Sequence, residues 1–274
     1  MTATLAMEFR KCFSTRAWWA LLLITVVWPG FNVAIMVLSL HFGGAEVSTD
    51  APGLIGLGGD ELARLLYSMG TTFGYVLPAI AGALSVAGEY RHQTITPTLL
   101  ADPARWRVLT AKFISVAPLA ALYGLAVVVA CLVFGAGLLA LLGDPTGLGD
   151  RQTWELFARM IPAMTLWGLI GVGLGTLLGN QAVAIVVLLG ITMFIEPTVR
   201  LLPLLVGHDI AALAYLPGAL GDSVTGASLF SAFTPSDAAG SGLLPFLPAV
   251  GALLAYAVVL TVIGYVVRFR RDIG

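Results

Sequence analysis

Charge is what this sequence has least of. Of 274 residues, 14 are Lys or Arg and 15 are Asp or Glu, so 11% are charged, against roughly 25% in an average soluble domain. A soluble chain of this length needs a charged shell around its core, and so few charges, gathered in short stretches, do not supply one. Cysteine is equally scarce. Cys12 lies in a basic N-terminal segment and Cys131 inside an apolar run, so they sit at different depths and no disulfide is expected. The three histidines, His41, His92 and His208, are far apart and H-E-x-x-H is absent, so no metal site is expected; G-x-S-x-G is absent too. Lysine occurs only as Lys11, followed by Cys12, and Lys112, followed by Phe113, so a P-loop, which needs G-x-x-x-x-G-K-[ST] to cradle phosphate, is excluded. These absences argue against an enzyme: any work this chain performs draws its energy from a partner.

Long apolar runs are what the chain has instead, with 58% of residues hydrophobic. About 20 apolar residues form a helix long enough to cross the hydrocarbon of a bilayer. Six stretches meet or approach that length: 18–40, 65–87, 113–142, 160–179, 182–195 and 243–267. The expected fold is an all-α polytopic membrane protein, a single transmembrane domain over 1–274. The N-terminus superficially resembles a secretory signal, but its apolar run is too long and lacks a convincing cleavage site. The fifth stretch is short, ending at Glu196 and Pro197. The third is long enough to tilt. No Asp, Glu, Lys, Arg or His falls within the stretches as drawn. An ion-coupled carrier, which needs a buried carboxylate, is thereby disfavoured.

Orientation follows from basic residues near the span ends, which are retained in the cytoplasm. With both termini inside, Arg10, Lys11, Arg16, Arg91, Arg105, Arg107, Lys112, Arg268, Arg270 and Arg271 are cytoplasmic, against Arg64, Arg151, Arg159 and Arg200 outside. An excess of Arg over Lys with abundant Ala and Gly points to a bacterial plasma (inner) membrane. No nucleic-acid partner is expected. The lipid bilayer is the surrounding partner.

Two loops stand out. The outer region 196–242 is rich in Pro and Gly yet moderately apolar, and is read as re-entrant or interfacial helices between spans five and six. The other, 88–112, "GEYRHQTITPTLLADPARWRVLTAK", is the only substantial cytoplasmic loop. Thr96-Pro97 and Asp102-Pro103 each have the form of a cap followed by proline at the first helical position. They predict a short helix from Pro97 to about Ala101, a break, and a second helix running from Pro103 into span three. Thr98, Leu99 and Leu100 give the short helix a partly apolar face along the membrane surface. Glu89, Arg91 and His92 supply charged contacts ahead of it. A plain topogenic anchor on anionic lipid is the alternative for such a loop, and Arg105, Trp106 and Arg107 fit it well.

These residues resemble a family. The 88–112 stretch is similar to the first intracellular loop of the membrane subunits of type-2 ATP-binding-cassette transporters, with an acidic residue, Thr-Ile, two leucines, Pro, Arg and Lys. "MEFRKCFSTRAWWALLL" is similar to the family's amphipathic N-terminal helix, here 1–17 with Glu8, Arg10, Lys11 and Arg16. Gln93 stands where the family frequently has Gly. The resemblance implies a short cytoplasmic coupling helix gripped by a cytosolic ATPase. Glu89, Tyr90, Arg91, His92, Thr94, Ile95, Pro97, Leu99 and Leu100 would form the coupling element. It implies two ATPase copies that bind ATP and Mg, a second permease subunit in a homo- or heterodimer, and no cofactor in this chain.

Within the spans, Gly171, Gly175 and Gly179 recur every four residues and let a helix approach closely, within the subunit by preference. Pro29 and Pro78 should bend their helices. Asn32, Phe31, Thr71, Thr72, Phe73 and Tyr75 are candidates for a substrate pathway, with a hydrogen bond to an adjacent helix the favoured reading of Asn32. Glu196 and Arg200 are spaced for a local helix pair. The implied function is export of a hydrophobic drug, lipid or natural product. A non-transport membrane anchor recruiting a soluble partner through 88–112 is the alternative, and a self-sufficient carrier is disfavoured.

Overall fold

A computed structural model describes residues 2–43, 57–95, 98, 100, 104–203, 210–230 and 243–269. Among them the chain is helical, with no strand. An N-terminal helix α1 (Thr2–Ser14) precedes six helices long and apolar enough to cross a membrane: α2 (Ala17–Gly43), α3 (Gly59–Arg91), α4 (Arg105–Leu142), α5 (Arg151–Leu178), α6 (Gln181–Arg200) and α8 (Phe246–Arg268). A shorter helix, α7 (Pro217–Thr225), lies between the last two. Exposed Leu23, Val27, Phe31 and Ile35 on α2, and Val258, Val259, Val262 and Val266 on α8, give the bundle an apolar exterior that water would not support over this area.

Every membrane helix but α8 runs beyond the stretch read from hydropathy. α3 adds a turn or more at each end, α4 starts at Arg105 and α5 at Arg151. α6 reaches 20 residues and continues through Glu196 and Pro197 to Arg200. The hydropathy reading stops at the first charged residue; α3, α4 and α6 continue past Glu89, Lys112 and Glu196, which neighbouring helices bury, while α5 continues past partly exposed Arg159 and Glu155.

Local chemistry fixes the turns. Gly179 closes α5 at φ 58°, and the Asn180 side chain accepts from the Ala182 and Val183 N–H groups at 3.0 and 3.2 Å to open α6. This builds a tight reversal from three residues. Asp150 opens α5 by accepting from the Gln152 N–H at 3.1 Å, and pairs with Arg64 of α3 at 2.9 Å. Pro29 lies inside α2; α3 turns at Tyr75, three residues before Pro78. π-helical turns interrupt α4 at Cys131–Ala136 and α6 at Gly190–Ile195.

α3 and α5 form the centre. A Cβ on Gly171 would stand 2.0 Å from the Ala79 carbonyl oxygen, and one on Gly175 would stand 2.5 Å from that of Ala83. The glycine spacing therefore serves close packing inside the subunit, as expected. Gly179 does not share that role: it is the left-handed terminus of α5, with Arg268 against it. α7 starts with Pro217, is buried from Gly218 to Thr225, and packs against α3, α5 and α8. Cys12 and Cys131 are both free.

Candidate functional site

Four charged side chains converge where α1 crosses the ends of α3 and α4. Glu8 and Lys11 share a face of α1, Glu89 sits in the last turns of α3, and Lys112 lies two turns into α4. Lys11 Nζ stands 2.8 Å from Glu8 Oε1 and 2.7 Å from Glu89 Oε1; Lys112 Nζ stands 2.7 Å from Glu8 Oε2 and 2.8 Å from Glu89 Oε1. Lys11 also donates to Thr98 Oγ1 at 3.0 Å, and Lys112 to the Ser85 carbonyl at 2.9 Å. Lys112 is 0% exposed, Glu8 2% and Glu89 7%. Buried charges persist only when paired and hydrogen-bonded, and here each ammonium meets three oxygens. Burial pulls Lys11 down, but hydrogen bonds to Glu8 and Glu89 outweigh it and raise its pKa above the ordinary value. Burial likewise pushes the neighbouring Cys12 thiol up.

Beyond Glu89 the chain leaves α3 by a defined turn. Gln93 N–H donates to the Tyr90 carbonyl at 3.3 Å and Thr94 N–H to the Glu89 carbonyl at 2.9 Å, with Gln93 at φ 54°. This is the paired-bond helix terminus whose left-handed residue is usually glycine, so the departure at Gln93 leaves the turn intact. Ile95 then folds back, 4% exposed, against Val86, Leu109, Val116 and Val172. Helical backbone follows at Ile95, Thr98 and Leu100, starting before the expected Pro97. Thr96, Pro97, Leu99, Ala101, Asp102 and Pro103 lie outside the described residues, so their capping roles do too. α4 opens at Arg105 with Ala104 as its uncapped first neighbour. Ile95 and Thr98 face inward, while Leu100 is 78% exposed.

The sequence-read coupling residues therefore separate into two sets. Glu89 faces inward to both lysines. Arg91, His92, Gln93, Thr94 and Leu100 form an exposed edge. Tyr90 is half-buried beside Ile95. On α1, Arg10 and Arg16 are exposed while Glu8 and Lys11 are committed to the cluster. Lys112, expected only as a basic loop residue, is the most buried charge among the described residues.

The pathway candidates are not brought together. Asn32 Nδ2 donates to the Trp28 carbonyl of its own helix at 2.8 Å rather than to a neighbour, and Phe31 is exposed. Thr71 and Thr72 donate to the Ser68 carbonyl within α3. Phe73 is partly buried against the central core. Tyr75 is buried, its ring stacked on Trp167 at 4.2 Å.

At the far end of α6 a second polar group is buried. Arg200 pairs not with Glu196 but with Asp222 of α7, Nη2 to Oδ2 at 2.5 Å, and donates to Ser228 Oγ at 3.0 Å beneath the Phe230 ring. Glu196 Oε1 accepts the Ala219 N–H at 3.0 Å, and Glu196 is 3% exposed. Burial pushes the Asp222 carboxyl up, with Arg200 and Ser228 acting against it. Spans free of charge, the premise against an ion-coupled carrier, are therefore not what the structure holds: α6 reaches Glu196 and Arg200. No family model matches the chain, and no curated protein matches it either.

Proposed function

We propose that the chain is the membrane (permease) subunit of an ATP-binding-cassette transporter of the type-2, exporter-like kind, resident in a bacterial plasma membrane. It moves a hydrophobic or amphiphilic substrate outward. Two such subunits pair, and two copies of a cytosolic ATPase bind the ATP and Mg. The observation that carries this reading is the connection between the exposed edge of Arg91, His92, Gln93, Thr94 and Leu100 and the buried cluster. The edge is continuous with Glu89, and Thr98 accepts from Lys11. Those residues bind Glu8 and Lys112 in turn, so a push on the edge displaces α1, α3 and α4 together. A rearrangement driven by nucleotide in another chain needs such a transmission element. Arg91, His92 and Leu100 make the contact with the ATPase, and Glu89 transmits it. The test is reconstitution with the cognate ATPase, comparing basal and cargo-stimulated hydrolysis for native protein and Leu100→Asp. The account expects stimulation to be lost in the variant while its folding is unchanged. A plain anchor leaves hydrolysis unaltered.

One observation favours a second reading, an ion-coupled carrier: Glu196 Oε2 is buried without a hydrogen-bond partner among the described residues. It makes the opposite expectation, transport by the chain alone that Glu196→Gln abolishes.

A further inference from the structure

Between α1, the start of α2, and the adjoining faces of α3 and α4 lies a cavity of about 460 Å³, within the range of small-molecule sites. Its wall has two characters. Leu21, Ala81, Leu84 and Leu119 line an apolar part, and Glu8, Lys11 and Glu89 line a polar part.

The polar part offers acceptors and few donors. All three hydrogens of the Lys11 ammonium are directed at Glu8, Glu89 and Thr98 oxygens. Lys112, just behind, is equally occupied by Glu8, Glu89 and the Ser85 carbonyl. Three hydroxyls on the wall, those of Ser14, Ser85 and Tyr123, also donate inward, to the Lys11, Gly82 and Trp18 carbonyls. Glu89, by contrast, has its Oε2 enclosed with no hydrogen-bond partner among the described residues. A buried acceptor left unpaired costs about 1–3 kcal/mol, more when charged, and a donor that turns the Glu89 carboxylate toward the cavity removes that cost. An anionic head would meet two carboxylates, with the lysine ammoniums already engaged by them.

We infer that this cavity binds an amphiphile with an ammonium head, held at the Glu89 carboxylate, and an alkyl tail laid along Leu21, Leu84 and Leu119. The inference goes beyond the transporter reading and does not rest on it, because such a ligand binds whether or not an ATPase drives the chain.

Cys12 lines the cavity and is half-buried, whereas Cys131 is 0% exposed. Labelling of Cys12 by N-ethylmaleimide therefore reports occupancy in the purified full chain. In phosphatidylcholine nanodiscs, dodecylamine is expected to slow labelling about tenfold, equivalent to ~1.4 kcal/mol, while dodecanol and dodecanoate change it little. Glu89→Gln should weaken the dodecylamine effect. A Cβ on Gly88, another wall residue, meets nothing within 4 Å. Gly88→Leu therefore has open space at its Cβ, extends into the cavity and should make labelling insensitive to the amine. Repeating the native measurement in phosphatidylethanolamine nanodiscs separates two sources of the same chemistry. Protection before any addition assigns the site to an aminophospholipid, and protection only on addition assigns it to a free amphiphile. Equal protection by all three probes, no protection in either bilayer, or undiminished amine protection in Gly88→Leu overturns the inference.

Discussion

Lys112 Nζ lies 2.7 Å from Glu8 Oε2, joining a fully buried lysine of α4 to a helix 104 residues earlier in the chain. Lysine suits this position because its compact ammonium directs three donors to three oxygens around one point, whereas a guanidinium spreads its five donors in a larger plane. Removing one member of a buried pair strands the other, at about 3–5 kcal/mol. Lys112→Met should therefore lower the detergent thermal midpoint sharply, and adding Glu8→Gln should recover part of the loss. A double variant as unstable as the sum of its singles would show that the contact contributes nothing.

The α3–α5 contact predicts a contrast between glycines. Gly175→Val places new atoms against the Ala83 carbonyl, and overpacking of this kind costs about 1–3 kcal/mol. Gly251→Ala, on α8 with nothing within 4 Å of its Cβ, should hold the native midpoint or raise it slightly, since Ala favours helix by roughly 1 kcal/mol. Thermal unfolding of both variants in one detergent checks the contrast.

Arg200 and Asp222 make a parallel case at the other end of α6. Each is under a tenth exposed and each is the other's ion-pair partner. Arg200→Met alone should cost about 3–5 kcal/mol, while Arg200→Met with Asp222→Leu should cost much less. Loss of α7 docking in the single variant would appear as faster backbone hydrogen exchange over Pro217–Thr225.

Alkaline pH should loosen the α1 junction first. The Lys11 pKa is raised from 10.5 in the folded state, so its stabilisation is complete below 10.5 and is lost as pH rises through the raised value. The Cys12 thiol is also raised, from 9.0. Its ionisation in the unfolded chain therefore begins to oppose folding above that value. The thermal midpoint should stay level from neutral pH to 9.0 and fall above it, and Cys12→Ser should delay the fall.

How much of this was legible in the sequence depends on the range of the interaction. The six membrane helices were, because each is an uninterrupted apolar run. Gly171 and Gly175 were legible as packing residues, but Ala79 and Ala83 as their counterparts were not. Helix ends were misjudged wherever a charge is neutralised by a residue distant in sequence: Glu89 and Lys112 by α1, Glu196 and Arg200 by α7. Local spacing suggested Glu196 with Arg200; the fold brought Asp222 closer. One signal for the buried cluster was present: in a chain whose other basic residues are all arginine, the two lysines meet on the same pair of carboxylates.

The central claim is that the exposed edge of Arg91 to Thr94 with Leu100 faces the cytoplasm and contacts a separate ATPase. A photo-crosslinking residue at Leu100, with His92→Cys labelled by an impermeant maleimide in a Cys12→Ser background, tests both parts in one strain. The account predicts that His92→Cys is labelled in inverted vesicles and not in intact cells, and that the Leu100 position crosslinks to the ATPase. Labelling of His92→Cys from outside intact cells, or no ATPase crosslink from Leu100, would contradict it.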